Sequence, residues 1–203
     1  MLLLMAVSAG FCACSETSEE SNEFENWEAR NTTFMLDTLA YANKAVAAAK
    51  AQWGDAWEEH CEWRVFPSFQ NTTGGVRIIE HGTGSGYPLA TDSVRLSYAG
   101  RLIPSKSFEN GYIFDHTGMG TTIEEIMDKN FEVSTNFHTM GVIEGWSTAL
   151  FHMRIGDYWR VFIPANMGYG ESGTSGIPGH STLIFDMRLK AFYRVGSVPP
   201  VWN

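Results

Sequence analysis

The sequence predicts an α+β fold, in which an antiparallel sheet wraps around one short helix and a helical segment precedes the sheet. Residues 24–60 carry apolar side chains at helical spacing, whereas strand-like runs and turns alternate from Trp63 onward. Within that second part, 143–151 indicates one short buried helix. Several antiparallel strands around a single helix form an α+β domain, with a cleft between the helix and the concave face of the sheet. Such clefts favour ligand binding.

The length and composition fit one full-size domain with an appendage. The chain has 203 residues, of which 44% are hydrophobic and 13 are Phe, enough for a substantial core. Its formal net charge is −9. We therefore expect no nucleic-acid partner and no electrostatic docking on anionic lipid, because no basic stripe is available to neutralise phosphates.

The amino terminus resembles a secretory signal that ends in a bacterial lipobox. An apolar run at 2–7 is too short to span a bilayer but suits the central part of a signal. The small residue Ala13 directly precedes Cys14, which we expect to be lipidated and to start the mature protein. Cys12 fits less well, because the bulky Phe11 precedes it. No Lys or Arg stands ahead of the run, which departs from ordinary signals, and an apolar tail without a role in export is the alternative interpretation.

These assignments divide the first part of the chain into a signal and lipobox at 1–14, an acidic tether at 15–23 and a helical extension at 24–62. The tether is too polar to bury apolar surface. It resembles the surface-export signal of some Gram-negative lipoproteins, and a plain spacer is an equally good interpretation. We predict an outer-membrane lipoprotein of the bacterial cell envelope, periplasmic or surface-exposed and held to the membrane by its lipid anchor. With Cys61 the one cysteine left over, no intrachain disulfide is expected.

The helical extension carries a stripe of apolar residues near the 3.6-residue period of a helix. The stripe consists of Trp27, Phe34, Met35, Leu39, Ala42 and Val46. It is typical of a packing face rather than of a ligand site. We expect Gly54 to break the helix, and a second short helix to follow at 57–60. A further hypothesis is that these helices pair two copies of the chain into a homodimer.

The remaining residues, 63–203, form the predicted domain. Alternation is clearest at 92–102, where Val94, Leu96 and Tyr98 share one face. We predict the other strands and one more short helix from similar runs. The strands are at 63–66, 76–80, 131–133, 158–163 and 181–192, and the helix is at 121–127.

Two motifs indicate the floor and the rim of an aromatic pocket. Val142-Ile143-Glu144-Gly145-Trp146 predicts a chain that turns into a short helix with the tryptophan on its inner face. Gly168-Tyr169-Gly170 follows a strand that ends at Ile163-Pro164, and predicts a tyrosine loop beside the sheet. With other short motifs in the same order, they make 75–192 resemble the FKBP-type peptidyl-prolyl cis-trans isomerases. Those other motifs are Val94 to Gly100, Phe114-Asp115, Phe131, Arg154 to Gly156, Ile177-Pro178 and Thr182 to Asp186.

The resemblance implies a role for individual residues. It makes Trp146 the floor of a proline pocket, Asp115 a buried carboxylate beside it, and Ile177 an apolar flap over it. The backbone N–H of Ile143 and the hydroxyl of Tyr169 become the donors that hold substrate carbonyls. The implied catalytic residues are Tyr98, Phe114, Asp115, Tyr169 and Phe185, and the implied substrate-binding residues are Phe131, Val142, Ile143, Trp146 and Ile177.

The function that the resemblance implies is rotation about Xaa–Pro bonds in exported or envelope polypeptides. This chemistry needs no nucleophile, metal or cofactor, and none is expected here. Macrolide inhibitors are a second class of ligand that the resemblance implies. The alternative is a non-catalytic module that grips proline-containing or unfolded chains as a chaperone on the same fold.

The chain departs from the compact family pattern in two longer segments. The first is the loop at 101–112, and the second is 116–130, between the predicted pocket residues Phe114 and Phe131. The sequence leaves open whether the second segment covers part of the site. A segment that did so would alter the choice of substrate, or weaken the binding of bulky macrolides.

Overall fold

The computed structural model describes residues 23–70 and 72–197. The predicted signal, Cys14 and nearly all of the tether lie outside these residues. Among the described helices, none is both long and apolar enough to cross a membrane. The elements are α1 (Trp27–Trp53), α2 (Trp57–His60), β1 (Trp63–Pro67), β2 (Thr73–Glu80), β3 (Ser93–Arg101), β4 (Ile113–His116), α3 (Ile123–Ile126), β5 (Thr135–His138), α4 (Glu144–Leu150), β6 (Tyr158–Ile163) and β7 (Leu183–Tyr193), with short 3₁₀ turns at Gly54–Ala56 and Ala165–Met167.

The strands form one antiparallel sheet in the order β1-β2-β6-β7-β3-β4, and β5 also pairs with β3. One edge of β3 is therefore shared, because β5 pairs with Ser93 to Leu96 and β4 pairs with Ala99 to Arg101. The predicted α+β class, with a helical segment ahead of the sheet, is confirmed. Alternation along β3 sends Tyr98 toward α4 and Ala99 toward the opposite face, here called the convex face.

Helix α4 lies against the concave face of the sheet, and its residues from Gly145 to Leu150 are all buried. Gly145 permits this close approach. A Cβ at this position would lie 2.4 Å from the side chain of Ile163 on β6, so any larger residue would push the helix away from the sheet. The short helix predicted at 143–151 is confirmed, and its packing holds Trp146 over the middle of the sheet.

Helix α1 packs on the convex face through aromatic side chains. Phe34 lies 6.3 Å from Phe162 between ring centroids, and Trp63 stacks on Phe162 at 5.7 Å. Tyr41 meets the edge of Trp63 at 5.3 Å. The predicted break is present, since α1 ends at Gly54 with a positive φ of 54°. The apolar stripe of the extension thus serves as a packing face against the domain of its own chain.

The second longer segment, 116–130, lies behind the sheet and not over the pocket. Ile123, Ile126 and Met127 form a small apolar cluster with Ala99 and Tyr158 on the convex face. The segment therefore does not cover the cavity, a question that the sequence left open. The helix predicted at 121–127 is present as α3, and its apolar residues explain why the segment folds onto the back of the sheet.

The same segment is also tied to the sheet by charged groups. Lys129 Nζ lies 2.7 Å from the carboxylate of Glu80, and Arg188 Nε lies 3.2 Å from the almost fully buried carboxylate of Glu132. The strand predicted at 131–133 is absent, because these residues continue the turn that follows α3. The strand of this region is β5, four residues further along.

A buried ionic network fixes the centre of the convex face. Asp186 is fully buried and accepts hydrogen bonds from Arg160, at 2.9 to 3.1 Å, and from the Tyr158 hydroxyl, at 3.0 Å. Arg101 lies 3.9 Å from the same carboxylate. Burial, followed by the nearby charge of Asp186, raises the pKa of Tyr158. This phenol therefore stays protonated and acts as a donor to Asp186.

Candidate active site

Trp146 forms the floor of an aromatic pocket between α4 and the concave face of the sheet. Three rings meet its indole nearly at right angles, with interplanar angles of 77°, 82° and 87° for Tyr98, Phe137 and Phe185. The corresponding centroid distances are 4.8, 5.3 and 5.0 Å. Edge-to-face contacts of this kind are favourable and directional. They hold the indole in one orientation, with ring edges around its face.

Gly100 lets two of the predicted pocket residues approach each other. It lies opposite Phe185 in the β3–β7 pairing. A Cβ here would lie 2.3 Å from the ring of Phe185 and 2.8 Å from the ring of Phe114. With glycine in place, the two rings pack edge to face at 5.5 Å. Phe114 therefore supports the pocket wall from behind Phe185 and does not line the cavity.

The polar side of the pocket is built around Asp115 and two tyrosines. The Tyr98 hydroxyl donates a hydrogen bond of 2.8 Å to Asp115 Oδ2. Burial, then this hydrogen bond, raises the pKa of Tyr98. Burial and the charge of Asp115 also raise the pKa of Tyr169, whose side chain lies at the rim and is 39% exposed. Both hydroxyls thus remain protonated donors at neutral pH.

Two donors at the pocket are unoccupied within the described part of the chain. The hydroxyl of Tyr169 has no hydrogen-bond partner there, and neither does the backbone N–H of Ile143, immediately ahead of α4. The cavity measures about 410 Å³. It is lined by Tyr98, Asp115, Phe137, Gly141, Val142, Ile143, Trp146, Tyr169 and Phe185. Seven of the ten residues that the sequence assigned to the site therefore line one cavity.

Phe131 is not at the pocket, and its assignment to the wall is wrong. Its ring is 80% exposed, because it lies in a turn. Asp128 closes this turn by accepting hydrogen bonds from the backbone N–H groups of Asn130 and Phe131. The wall position is taken by Phe137 on β5, which contacts both Tyr98 and Trp146.

Two other predicted residues lie elsewhere than expected. Ile177 is buried in the main core, with 5% of its surface exposed, and is not among the residues that line the cavity. It therefore does not form a flap over the cavity in this structure. Asp115 is exposed rather than buried, although it keeps its contact with Tyr98. An exposed carboxylate in this position keeps contact with water while it accepts the hydrogen bond that orients the phenol.

The residues that sequence reasoning missed are Phe137 and Gly141. A signal for Phe137 was present. Thr135 to His138 is rich in strand-forming residues, whereas Phe131 follows Asp128, Lys129 and Asn130, a run typical of a turn. The turn-forming run ahead of Phe131 and the strand-forming residues around Phe137 together favour Phe137 as the residue of the pocket wall.

The fold and the pocket define a class of small α+β domains in which a tryptophan on one short helix lies among aromatic side chains of the sheet. The family model described as FKBP-type peptidyl-prolyl cis-trans isomerase matches residues 84–190, more than half of the chain. The chain therefore belongs to this family. Within the described residues, no group of three or more His, Cys, Asp or Glu side chains is placed to bind a metal ion.

Several named proteins are similar to the domain. The FKBP-type isomerase FkpA of Escherichia coli K12 is 34% identical over 113 residues, which cover 56% of this chain and 35% of FkpA. The FKBP-type 22 kDa isomerase of the same organism is 36% identical over 115 residues, covering 56% of this chain and 47% of that protein. The chain thus spans less than half the length of these relatives. A crystal structure of a peptidyl-prolyl isomerase from Pseudomonas syringae covers 78% of this chain and 95% of its own, at 26% identity and a TM-score of 0.48.

Proposed function

We propose that this protein is a peptidyl-prolyl cis-trans isomerase that acts on proline-containing polypeptides. The observation that carries the proposal is the indole of Trp146, enclosed by the edges of Tyr98, Phe137 and Phe185. This arrangement offers an apolar face to a pyrrolidine ring and leaves one side of the pocket open to a chain. Membership of the isomerase family supports the proposal.

The chemistry follows from the resistance of the peptide bond to rotation. The barrier to cis–trans interconversion is about 18–20 kcal/mol, because rotation destroys the amide resonance. The twisted amide has a less polar carbonyl than the planar one, so it loses less when water is removed. An aromatic, poorly hydrated pocket therefore binds the twisted state more tightly than the ground state, which is the requirement for catalysis.

The free donors would hold the backbone on each side of the proline. We assign the N–H of Ile143 and the hydroxyl of Tyr169 to substrate carbonyls, since neither has a partner within the described residues. Tyr98 and Asp115 form the third polar element, in which Asp115 orients the phenol toward the pocket. Fixed donors of this kind keep a flexible peptide in a turn-like geometry and reduce the entropy lost at the barrier.

The cellular setting is also part of the proposal. We infer that the protein is exported, anchored through Cys14, and acts on proteins of the cell envelope. The motivation is the amino-terminal sequence, and the test is metabolic labelling with a palmitate analogue in the bacterium. A labelled wild type and an unlabelled Cys14→Ala variant would support the anchor, whereas equal labelling would contradict it. The proposal also includes macrolides as inhibitors and proline-containing envelope proteins as substrates.

The homodimer hypothesis also remains a prediction. Helix α1 covers its own domain with one face, and Leu36 and Tyr41 at the borders of this face remain 62% exposed. Sedimentation of the whole chain and of a chain that lacks 24–60 would test whether the helix pairs with a second copy. If the observed mass divided by the monomer mass is the same for both chains, the helices do not pair two copies.

The central experiment is a proline-peptide isomerisation assay on the wild type, Tyr169→Ala and Phe114→Ala. Phe108→Ala is the matched aromatic control, because the Phe108 ring packs on Tyr112, whereas the Phe114 ring packs on Phe185 of the pocket. We expect acceleration by the wild type and the control, and reduced rates for the other two variants. Equal rates in all four would remove the catalytic proposal. Peptide binding without any acceleration would instead identify a non-catalytic binding module.

A further inference from the structure

The loop that carries Tyr169 is held in place by the first turns of helix α1. This loop, here called the rim loop, comprises residues 168–182 and joins the 3₁₀ turn after β6 to β7. It is rich in glycine, and three of its glycines, Gly170, Gly173 and Gly176, have positive φ angles. Glycine-rich chain has a high entropy when free, so its order in the structure requires specific contacts.

Three hydrogen bonds connect α1 with the end of the rim loop, and a fourth fixes Ser181 within the loop. Trp27 Nε1 donates to Ser181 Oγ at 2.9 Å, and Ser181 Oγ donates in turn to the carbonyl of Pro178 at 2.6 Å. The backbone N–H of Thr182 donates to Asn31 Oδ1 at 2.7 Å, and the Thr182 hydroxyl donates to the carbonyl of Asn31 at 3.2 Å.

Asn31 and Trp27 are themselves fixed, because Asn31 Nδ2 donates to the carbonyl of Trp27 at 2.7 Å. Asn31 is only 1% exposed, which is unusual for an amide side chain on the packing face of a helix. Its burial is explained by these contacts, since every polar atom of the side chain has a partner.

One further contact links the residues bonded to α1 with the part of the loop that carries Tyr169. The backbone N–H of His180 donates to the carbonyl of Gly170 at 2.9 Å, so the two ends of the rim loop are joined beside Tyr169. Beside these bonds a cavity of about 300 Å³, which Asn31 and Thr182 also line, separates Leu36 from Asn166 and Glu171. Trp27 also packs in the main core, so the hydrogen bonds of Trp27 and Asn31 give direction to a contact that is packed on one side and open on the other.

We propose that Trp27 and Asn31 are positioning residues that fix the Tyr169 hydroxyl at the rim of the pocket. The inference rests on the proposed function insofar as Tyr169 is a donor to substrate. It adds a role for the helical extension, which sets the geometry of the catalytic pocket through the rim loop. Neither residue touches the pocket itself.

The experiment uses the full chain with the double variant Trp27→Phe/Asn31→Leu, which removes the side-chain donor and acceptor while the smaller ring and the larger Leu roughly balance in total volume. Tyr41→Ala is the matched control, because Tyr41 contacts the domain at Trp63, away from the rim loop. Deuterium exchange of peptides from 168–182 should become faster in the double variant and stay unchanged in the control. Trp27→Phe alone provides the same test if the double variant does not fold.

Isomerisation kinetics then decide between positioning and plain destabilisation. We expect kcat/KM of the double variant to fall roughly two- to tenfold, the factor that one or two hydrogen bonds of ordinary strength represent. In a Tyr169→Phe background the double variant should lower kcat/KM almost no further. The reason is that the double variant and Tyr169→Phe both act through the Tyr169 hydroxyl. Unchanged deuterium exchange in the rim loop of the double variant would overturn the inference. Losses of kcat/KM that add to the loss in Tyr169→Phe would also overturn it. If the wild type shows no isomerase activity, the proposed function fails. Peptide affinities of the wild type, the double variant, Tyr169→Phe and their combination still test the coupling of Trp27 and Asn31 to Tyr169.

Discussion

Replacing two phenylalanines that lie six positions apart tests the assignment of the pocket. Phe137→Ala removes a ring that contacts the floor, whereas Phe131→Ala removes one that is 80% exposed in a turn. The two changes are chemically identical and lie in the same connection between β4 and α4. Any difference between them therefore reports the position of the ring.

The size of the effect follows from the contacts of Phe137. It meets Trp146 at 5.3 Å and Tyr98 at 5.8 Å, both nearly edge to face. Each aromatic pair of this kind contributes about 0.5–1.5 kcal/mol beyond the burial of area. If the transition state depends on the wall, losing both contacts should cost about 1–3 kcal/mol, which corresponds to a fall in kcat/KM of roughly fivefold to a hundredfold. Phe131→Ala should change kcat/KM by less than about twofold, since it removes no pocket contact.

The assay is the isomerisation of a short peptide with one Xaa–Pro bond, followed after a solvent jump that enriches the cis form. Urea unfolding of each variant serves as the control, so that rates are compared only among folded proteins. Equal losses in both variants would refute the assignment of Phe137 to the wall. A loss confined to Phe131→Ala would show that the exposed ring, and not the cavity, binds the substrate.

Three further predictions concern stability. Gly145→Ala should lower the free energy of unfolding by about 1–3 kcal/mol, because the added Cβ would lie 2.4 Å from Ile163; an unchanged urea midpoint would contradict this. Asp186→Ala should cost about 3–5 kcal/mol, since it leaves the guanidinium of Arg160 without its buried carboxylate; a thermal unfolding curve that overlays the wild type would show that the network is not needed. The pKa of Tyr98 is raised in the folded protein above its ordinary value of 10.0. The unfolded chain then releases the proton first, so stability falls above about pH 10, by at most about 1.4 kcal/mol per pH unit for this group. Denaturant titrations at pH 9 and 11 should show a smaller fall in Tyr98→Phe, and equal falls would argue against a perturbed phenol.

The fold class and most of the pocket could be predicted from local sequence. Trp146, Val142 and Ile143 lie on or beside one short helix, so their common position follows once the helix is recognised. Tyr98 and Phe185 lie on strands whose alternation is clear, and the pairing of those strands brings both rings to the concave face. Residues whose geometry depends on regular structure were therefore placed correctly.

The errors arose where geometry depends on irregular chain. Whether Phe131 or Phe137 forms the wall is decided by where a turn ends and β5 begins, and element boundaries are the least certain feature of any sequence-based prediction. Asn31 was missed for a different reason. A polar residue on an apolar stripe normally argues against the predicted packing face, and the partner that explains Asn31, Thr182, lies 151 residues away in the chain. No local pattern reports such a pairing.

The convex face explains why segment 116–130 leaves the pocket open. Segment 116–130 brings apolar side chains of its own, and these need a partner surface. Ala99 and Tyr158 provide one behind the sheet, while the charged groups at Glu132 and Arg188 hold the end of the segment there. Over the pocket, the same side chains would have to bury the hydroxyls and the Asp115 carboxylate without hydrogen-bond partners, which is unfavourable. The additions to the compact fold therefore act on stability and on the rim loop through α1, while the cavity keeps the aromatic walls that a proline ring requires.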